Sequence, residues 1–279
     1  MITSKSNPKI KNIRLLKQAK HRQARGEYFV EGVRLVEEAF GSAQSVRQIV
    51  YSPRLENFPR GASLLSLGRK KYPSVEWFYV SDEVLDSLSD TQTHQGILAV
   101  LKKREYGWED LRKREGLILL LCELQDPGNL GTIFRVAEAG KAAGLVLTRG
   151  TLDPCNPKAV RASMGSLFRL PFLVDQDPGA ALQTLRSLGY RIFSTSAGTG
   201  TSLWEADFSC PAAILFGQEG AGLPPPLIEQ ADERLTIPMN PAVNSLNVAV
   251  SAGLVVYEAL RQNTVRSNIV WSSEQRYKK

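Results

Sequence analysis

The feature that most constrains the fold is an alternation, in the second part of the sequence, of short apolar runs with longer segments of helical character. The apolar runs are continuous instead of alternating with polar residues, which is typical of strands covered by helices on both faces of a largely parallel sheet. The predicted strands are residues 117–121, 145–148, 171–174, 190–195, 212–216 and 234–237. The predicted helices are residues 130–143, 157–166, 179–188 and 246–261. This pattern predicts an α/β domain.

The first part of the sequence has shorter and more mixed apolar runs. After a helical opening, the predicted elements are strands at 48–52, 77–80 and 96–101 and a helix at 82–88. We therefore predict a small α/β domain over residues 1–105. The next ten residues are rich in charge and poor in apolar side chains, so residues 106–115 are predicted to be a linker. The larger domain then covers residues 116–279.

The net charge of +7 is confined to the first part of the chain. Residues 1–115 contain 21 basic and 14 acidic side chains, whereas the remainder contains 14 of each. The first 25 residues carry eight Lys and Arg side chains and no acid, which predicts an anionic partner such as a nucleic acid. On a continuous helix, the spacing places Lys11, Arg14, Arg22 and Arg25 on one face. A solvated helix face is the alternative interpretation.

Several classes of protein and site are disfavoured by the sequence. Three widely spaced cysteines make a disulfide framework improbable and favour a reducing cytoplasm. The longest apolar stretches are well short of the ~20 residues that span a bilayer, so no membrane partner is expected. No cysteine pair has the spacing of zinc ligands. A Ser-His-Asp hydrolase is disfavoured because the second part of the chain contains no histidine.

Three loops that follow predicted strands contain the residues best suited to chemistry. Residues 126–132 open a helix that contains Arg135, residues 216–223 contain three glycines, and residues 237–247 precede the last helix. Ligands of open α/β sheets bind at such strand ends, where backbone N–H groups are free. None of the loops is a Walker loop or a G-x-G-x-x-G dinucleotide motif. Ordinary turns and a helix cap are the alternative interpretation of the first two loops.

These loops resemble the three motifs of the SpoU (TrmH-like) RNA ribose methyltransferases. The resemblance rests on Asn129-x-Gly131-x-x-x-Arg135, on Phe216-Gly217-x-Glu219-Gly220-x-Gly222-Leu223, and on Ile237-Pro238-Met239 followed by Ser245-Leu246-Asn247. The first part is similar to the substrate-binding domain that precedes many of these enzymes, through Asn7-Pro8-x-Ile10-Lys11, Gly26-x-Tyr28-Phe29-Val30-Glu31-Gly32-x-Arg34, and His94-Gln95-Gly96-Ile97. The resemblance covers nearly the whole chain.

The resemblance implies a larger domain tied into a deep trefoil knot, a small RNA-binding domain like ribosomal protein L30e or L7Ae, and a homodimer. It implies that S-adenosylmethionine is held mainly by backbone groups of Thr195, Leu215, Gly217, Gly222, Ile237 and Leu246. It implies a catalytic set of Arg135, Asn129, Glu219, Ser245 and Asn247, with no metal ion. RNA contacts are predicted for Lys11, Arg14, Arg22, Arg25 and Arg34.

The resulting prediction is an RNA 2′-O-methyltransferase that acts on ribosomal RNA in the cytoplasm. Transfer RNA is the second candidate substrate. A non-catalytic RNA-binding or ribosome assembly factor on the same fold and a base methyltransferase on a related fold are the alternative functions. Two positions depart from the family pattern, Gln218 and Pro241. Because proline fixes φ and lacks an N–H, we expect the loop before Ser245 to have its own shape.

Overall fold

The computed structural model describes residues 1–91 and 93–266. The chain forms two compact units that do not follow the order of the sequence. The first unit contains Met1–Tyr106 together with Asp126–Arg135 and Leu152–Leu170. The second contains Gly107–Gln125, Val136–Thr151 and the chain from Pro171 onward. Two segments of the predicted larger domain therefore pack with the first 106 residues.

The helices and strands are numbered in chain order. The helices are α1 (Pro8–Leu15), α2 (Ala19–Arg25), α3 (Val33–Gly41), α4 (Gly61–Lys71), α5 (Asp82–Leu88), α6 (Trp108–Arg112), α7 (Pro127–Ala139), α8 (Pro157–Ala162), α9 (Pro178–Ser187), α10 (Pro225–Glu229) and α11 (Val248–Arg266). The strands are β1 (Glu27–Glu31), β2 (Val46–Tyr51), β3 (Glu76–Tyr79), β4 (Ile97–Lys102), β5 (Ile118–Leu121), β6 (Gly144–Thr148), β7 (Phe172–Gln176), β8 (Arg191–Thr195), β9 (Thr201–Ser202), β10 (Ala212–Phe216) and β11 (Glu233–Thr236). Short 3-10 helices occupy Pro53–Asn57 and Ser166–Phe168.

The first unit contains a four-stranded sheet in the order β1-β4-β2-β3. Strand β4 is antiparallel to β1 and β2, whereas β2 and β3 are parallel. On one side, α1 and α5 contribute Ile10, Ile13 and Leu85 to a core that includes Val50 and Phe78 of the sheet. The expected α/β fold of this part of the chain is confirmed, although β1, α3 and α4 had no clear signal in the sequence.

The prediction of one continuous opening helix is wrong, because the chain breaks between α1 and α2. Gln18 has extended backbone angles, with φ −96° and ψ 132°. Arg22 donates hydrogen bonds to the backbone oxygens of Leu16 (3.0 Å) and Lys17 (2.8 Å), so carbonyl groups at the break are paired. Leu16, the residue after α1, is buried in the core. The predicted cationic face is therefore divided between two short helices.

The second unit contains a seven-stranded sheet in the order β7-β6-β5-β10-β8-β11-β9, and every paired neighbour is parallel. All residues of β5, β6 and β10 are buried, which confirms the prediction from continuous apolar runs. The predicted strands agree with the observed ones within two residues at each end. Among residues 1–91 and 93–266, no helix combines the length and apolar character needed to span a bilayer.

Two predicted helices of the larger domain are shorter at their C-terminal ends than the sequence suggested. Helix α7 ends at Ala139, close to Lys141 with φ +58°, and α8 ends at Ala162, just before Met164 with φ +50° and Gly165 with φ +91°. Left-handed residues cannot continue an α-helix, so both terminations are fixed locally. The predicted linker also contains an element, because α6 lies within residues 106–115 and buries Leu111.

Candidate functional site

Four of the predicted donor-binding residues lie at the carboxyl ends of three neighbouring parallel strands. The strand order β10-β8-β11 brings the ends of these strands together, where β8 ends at Thr195 and Ile237 directly follows β11. Thr195 donates a hydrogen bond from Oγ1 to the backbone oxygen of Leu215 (2.8 Å), and Gly217 follows β10. Ligands of open parallel sheets bind at this edge. Thr195, Gly217 and Ile237 are all partly exposed there.

The loop after β10 is tightly folded on itself. A Cβ atom on Gly217 would lie 2.2 Å from the carbonyl carbon of Gly222, so no larger residue fits at position 217. Gly222 has φ +70° and donates its N–H to the backbone oxygen of Gln218 (2.9 Å). Both glycines are thus required by the loop itself. Glu219 is exposed in this loop and accepts a long hydrogen bond from the backbone N–H of Gln125 (3.4 Å).

The loop before α11 explains one departure from the family pattern. Pro241 occupies the second position of a turn in which the N–H of Val243 donates to the backbone oxygen of Asn240 (2.8 Å). This position accommodates proline, because its φ is already close to that of the ring. Asn247 caps α11, since its Oδ1 accepts hydrogen bonds from the N–H groups of Ala249 (2.9 Å) and Val250 (3.3 Å).

The residues between that turn and the cap are open to solvent. Ser245 and Leu246 are both exposed, and they lie three and two residues before the first residue of α11. A hydroxyl and an apolar side chain therefore stand beside the helix end.

The first motif lies at the start of α7, in the first compact unit. Asp126 caps the helix by accepting a hydrogen bond from the N–H of Asn129 (2.7 Å). Helix α8 fills the space next to Gly131. A Cβ on Gly131 would lie 2.4 Å from Cβ of Ala162. Gly131 therefore allows α7 and α8 to pack closely, while the Arg135 side chain is exposed one turn further along.

Arg135 and Asn129 differ in exposure. Arg135 forms no hydrogen bond or ion pair with any residue in the described part of the chain, so its guanidinium is available to a ligand. Asn129 is half-buried. Both belong to the first compact unit, whereas Glu219, Ser245 and Asn247 belong to the second.

Helix α8 is joined to the N-terminal residues by a partly buried charge cluster that the sequence did not reveal. Arg161 forms ion pairs with Glu31 (2.8 Å) and Asp90 (2.9 Å). Glu31 is only 8% exposed and also accepts a hydrogen bond from Ser89 Oγ (2.7 Å). The partners of Arg161 are 130 and 71 residues away in sequence. No local motif signals such a pair.

A second long-range pair changes the interpretation of Arg22. Its Nε donates to Asp153 (2.7 Å), and the side chain is 4% exposed. The prediction that Arg22 contacts RNA is therefore withdrawn, because its guanidinium is buried against a carboxylate and two backbone oxygens. One cation of the acid-free N-terminal sequence is therefore neutralised by an acid from a distant segment.

The other predicted RNA contacts differ in how they are held. Lys11 and Arg34 are exposed and form no ion pair with another described residue. Arg14 donates to Ser87 (2.8 Å), and Arg25 donates to the backbone oxygen of Asn12 (2.9 Å). Both guanidiniums keep donors that these contacts do not use, because an arginine has five.

The buried thiols are unsuited to nucleophilic chemistry. Burial raises the pKa of Cys155 to about 12, with a smaller contribution from Asp153, and burial raises the pKa of Cys122 to about 12, with a smaller contribution from Glu123. Neither thiol forms a thiolate near neutral pH. In the described part of the chain, no group of His, Cys, Asp and Glu side chains is arranged to hold a metal ion.

Comparison with known proteins gives two family matches. Residues 116–257 match the SpoU rRNA Methylase family, and residues 7–99 match the MRM3-like substrate binding domain. The chain is 35% identical to a tRNA/rRNA methyltransferase of Synechocystis, over 95% of each chain. It is 33% identical to 23S rRNA (guanosine(2553)-2′-O)-methyltransferase RlmP of Bacillus subtilis, over 92% of this chain and 97% of that one. Among solved structures, the AdoMet-bound rRNA methyltransferase from Sinorhizobium meliloti matches with a TM-score of 0.82 and 29% identity, over 94% of this chain and 97% of that one.

Proposed function

The chain belongs to the SpoU rRNA methylase family, and on that premise we propose that it transfers a methyl group from S-adenosylmethionine to a ribose 2′-hydroxyl of ribosomal RNA. The observation that carries the proposal is the meeting of Thr195, Gly217 and Ile237 at the ends of three adjacent parallel strands, within the segment that matches the family. The rRNA methyltransferases among its relatives support ribosomal RNA as the substrate.

The residues at these strand ends suit an adenosine-containing methyl donor. Backbone groups of three neighbouring loops are available at one edge of the sheet, and partly exposed Ile237 and Leu246 offer apolar surface for an adenine ring. Thr195 fixes the end of β8 to β10 through its hydrogen bond to Leu215. S-adenosylmethionine would supply an electrophilic methyl group there. We assign Thr195, Leu215, Gly217, Gly222, Ile237 and Leu246 to holding it.

We assign Arg135 to orienting the ribose. Guanidinium groups stay protonated in proteins and present five donors in a fixed plane. Exposed and unpaired within the described residues, Arg135 is suited to hold a phosphate or the 2′-oxygen in line with the methyl group. Holding two reactants in line removes much of the entropic part of a transfer barrier.

The remaining members of the catalytic set divide into two kinds. Asn129 and Asn247 are anchored by helix starts, and the Asn247 amide oxygen is already used as a cap, so Asn247 fixes the loop before α11. Glu219 and Ser245 are exposed. Carboxylate and hydroxyl oxygens can accept a hydrogen bond from the ribose, and we assign the Glu219 carboxylate to receiving the 2′-proton.

Labelled S-adenosylmethionine incubated with the protein and unmodified ribosomal RNA tests the proposal. After digestion to nucleosides, we expect the label in a 2′-O-methylnucleoside. Label on a base, or label in transfer RNA alone, contradicts it. Primer extension at low nucleotide concentration then maps the modified position.

We also propose that the enzyme is a homodimer in the cytoplasm. Val250 and Tyr257 on α11 are 52% and 51% exposed, and their spacing of seven residues places both on one face of the helix. An apolar face of this kind is typical of an interface between subunits. We expect sedimentation velocity to show a dimer for the full chain and a monomer for Val250→Asp. A wild-type monomer, or a dimer that survives the substitution, argues against this interface.

A further inference from the structure

An aromatic cluster at the edge of the four-stranded sheet has no role in the methyl transfer proposed above. Tyr51 on β2 lies directly opposite Tyr79 on β3, with ring centroids 5.1 Å apart. Trp77 shares the same face of β3, and its ring centroid is 6.2 Å from that of Tyr51. Strand β3 ends the sheet order, and Tyr79 is 38% exposed. Three rings therefore form a continuous surface at a sheet edge.

The rings are held in place by α4. A Cβ on Gly68 would lie 2.6 Å from Cη2 of Trp77, so the indole rests directly against this helix. Arg69 donates a hydrogen bond to the hydroxyl of Tyr51 (3.0 Å), and its guanidinium carbon lies 5.1 Å from the Trp77 ring centroid. The cluster is thus ordered before any ligand binds, which lowers the entropic cost of binding.

Positive charge lies beside these rings. Helix α4 ends with Arg69, Lys70 and Lys71 and contains no acidic residue. Lys71 is hydrogen-bonded to the backbone oxygen of Phe40, but Arg69 and Lys70 are exposed and pair with no carboxylate in the described part of the chain. The nearby acid, Glu76, projects to the other face of β3, where it is paired with Lys9.

We propose that this aromatic edge, made of Tyr51, Arg69, Lys70, Trp77 and Tyr79, binds unpaired nucleotides of the RNA substrate. A base stacks on Tyr79, and the flanking phosphates contact Arg69 and Lys70. Aromatic rings beside arginine and lysine are the chemistry that recognises single-stranded RNA, because every unpaired base offers a π-face. A duplex keeps its bases stacked inside and offers no such face. The inference rests on the proposed function for its RNA partner and adds the kind of RNA structure that is bound.

The test measures binding to the full-length protein without the methyl donor, so it does not depend on catalysis. The probes are a short single-stranded RNA that contains 2-aminopurine and the same RNA annealed to its complement. For Tyr79→Ala, we expect about tenfold weaker binding of the single strand, as for the loss of one base–aromatic stack, and loss of the 2-aminopurine fluorescence change. Binding of the duplex should be unchanged. Trp204→Ala, which removes a 55% exposed ring from the second unit, is the matched control and should bind as wild type.

Two further variants separate stacking from folding and from charge. Tyr79→Leu preserves apolar volume, so it keeps the test valid if Tyr79→Ala does not fold. Tyr79→Leu should also lose base stacking, whereas Tyr79→Phe should keep it. Lys70→Ala should reduce the slope of log affinity against log salt by about one phosphate contact. If Tyr79→Ala and Tyr79→Leu both bind the single strand with wild-type affinity, the proposal is overturned, and the aromatic edge is better explained as a protein-binding surface. Equal losses for single strand and duplex also overturn it.

The result is separable from the proposed function. A protein that binds single strands through Tyr79 but gives no 2′-O-methylnucleoside supports the aromatic edge and rejects the methyltransferase proposal. Methyl transfer with wild-type binding in the Tyr79 variants supports the methyltransferase proposal and rejects the edge.

Discussion

The two compact units are stabilised in different ways. The second is built on β5, β6 and β10, whose residues are all buried, and each is an uninterrupted apolar run in the sequence. The first joins three separate segments of the chain, and the ion pairs Arg22–Asp153 and Arg161–Glu31 link residues 152–170 to the first 106 residues. Burial of apolar strands follows from local composition, whereas the pairing of distant charges depends on the folded chain.

Substitution of Arg135 should produce the largest effect, and it separates the units by function. Arg135 ends the part of α7 that belongs to the first unit, while the proposed donor site lies in the second. We expect Arg135→Ala to lower turnover by about 10²–10⁴-fold, as for loss of a group that positions or assists proton transfer. Calorimetry should show unchanged binding of S-adenosylmethionine.

Arg135→Lys provides the matched control, because it keeps the charge but loses the planar fork. Wild-type turnover in this variant would contradict the positioning role. Weaker donor binding in Arg135→Ala would contradict the division of labour between the units.

Removal of Arg161 should be the next largest effect, on stability. Arg161→Ala leaves Glu31 buried without its cation, so we expect a loss of about 3 kcal/mol in the free energy of unfolding. Arg112→Ala is the control in the second unit, where the pair with Glu109 is 62% and 67% exposed and worth about 0–1 kcal/mol. Urea unfolding measures both. Equal losses would show that burial does not distinguish these pairs.

The two buried thiols, one in each unit, give the smallest expected effect near neutral pH. Cys155 lies in the first unit and Cys122 in the second, and burial raises the pKa of each to about 12. Above the thiol pKa of the unfolded chain, the unfolded state loses a proton that the folded state retains. Stability is therefore unaffected below about pH 8.5 and falls by up to about 1.4 kcal/mol per pH unit above it, for each thiol.

Unfolding measured between pH 8 and 10.5 tests this slope. Cys155→Ala and Cys122→Ala should each flatten it by a similar amount. A slope unchanged by both substitutions would show that these thiols do not control the alkaline stability of either unit.

Much of the second unit could be predicted from sequence, because each buried parallel strand is recognisable by itself. The exception is β9, whose two residues Thr201 and Ser202 are polar. In the first unit, the break at Gln18 could not be predicted, since it depends on Arg22 reaching Asp153. A helical pattern contains no information about a carboxylate 131 residues away.

The candidate site could likewise be predicted only in part from the sequence. The loops that contain Gly217 and Ile237 could be placed at one edge because strand ends of a parallel sheet converge, whereas Thr195 was predicted from the family resemblance. The contact that explains Gly131 could not be predicted, because it requires knowing that α8 crosses α7 at Ala162. The ion pairs of Arg161 could not be predicted either, because its partners come from the N-terminal part of the chain.

The pairing of Glu31 with Arg161 also determines when the first unit can finish folding during translation. Glu31 is synthesised 130 residues before Arg161. At about 5–20 residues per second, the ribosome needs roughly 6–26 s after Glu31 to synthesise Arg161. Throughout that interval the carboxylate stays hydrated and the N-terminal segment lacks α8. The first unit therefore closes only after β5 and β6 of the second unit's sheet have already been made.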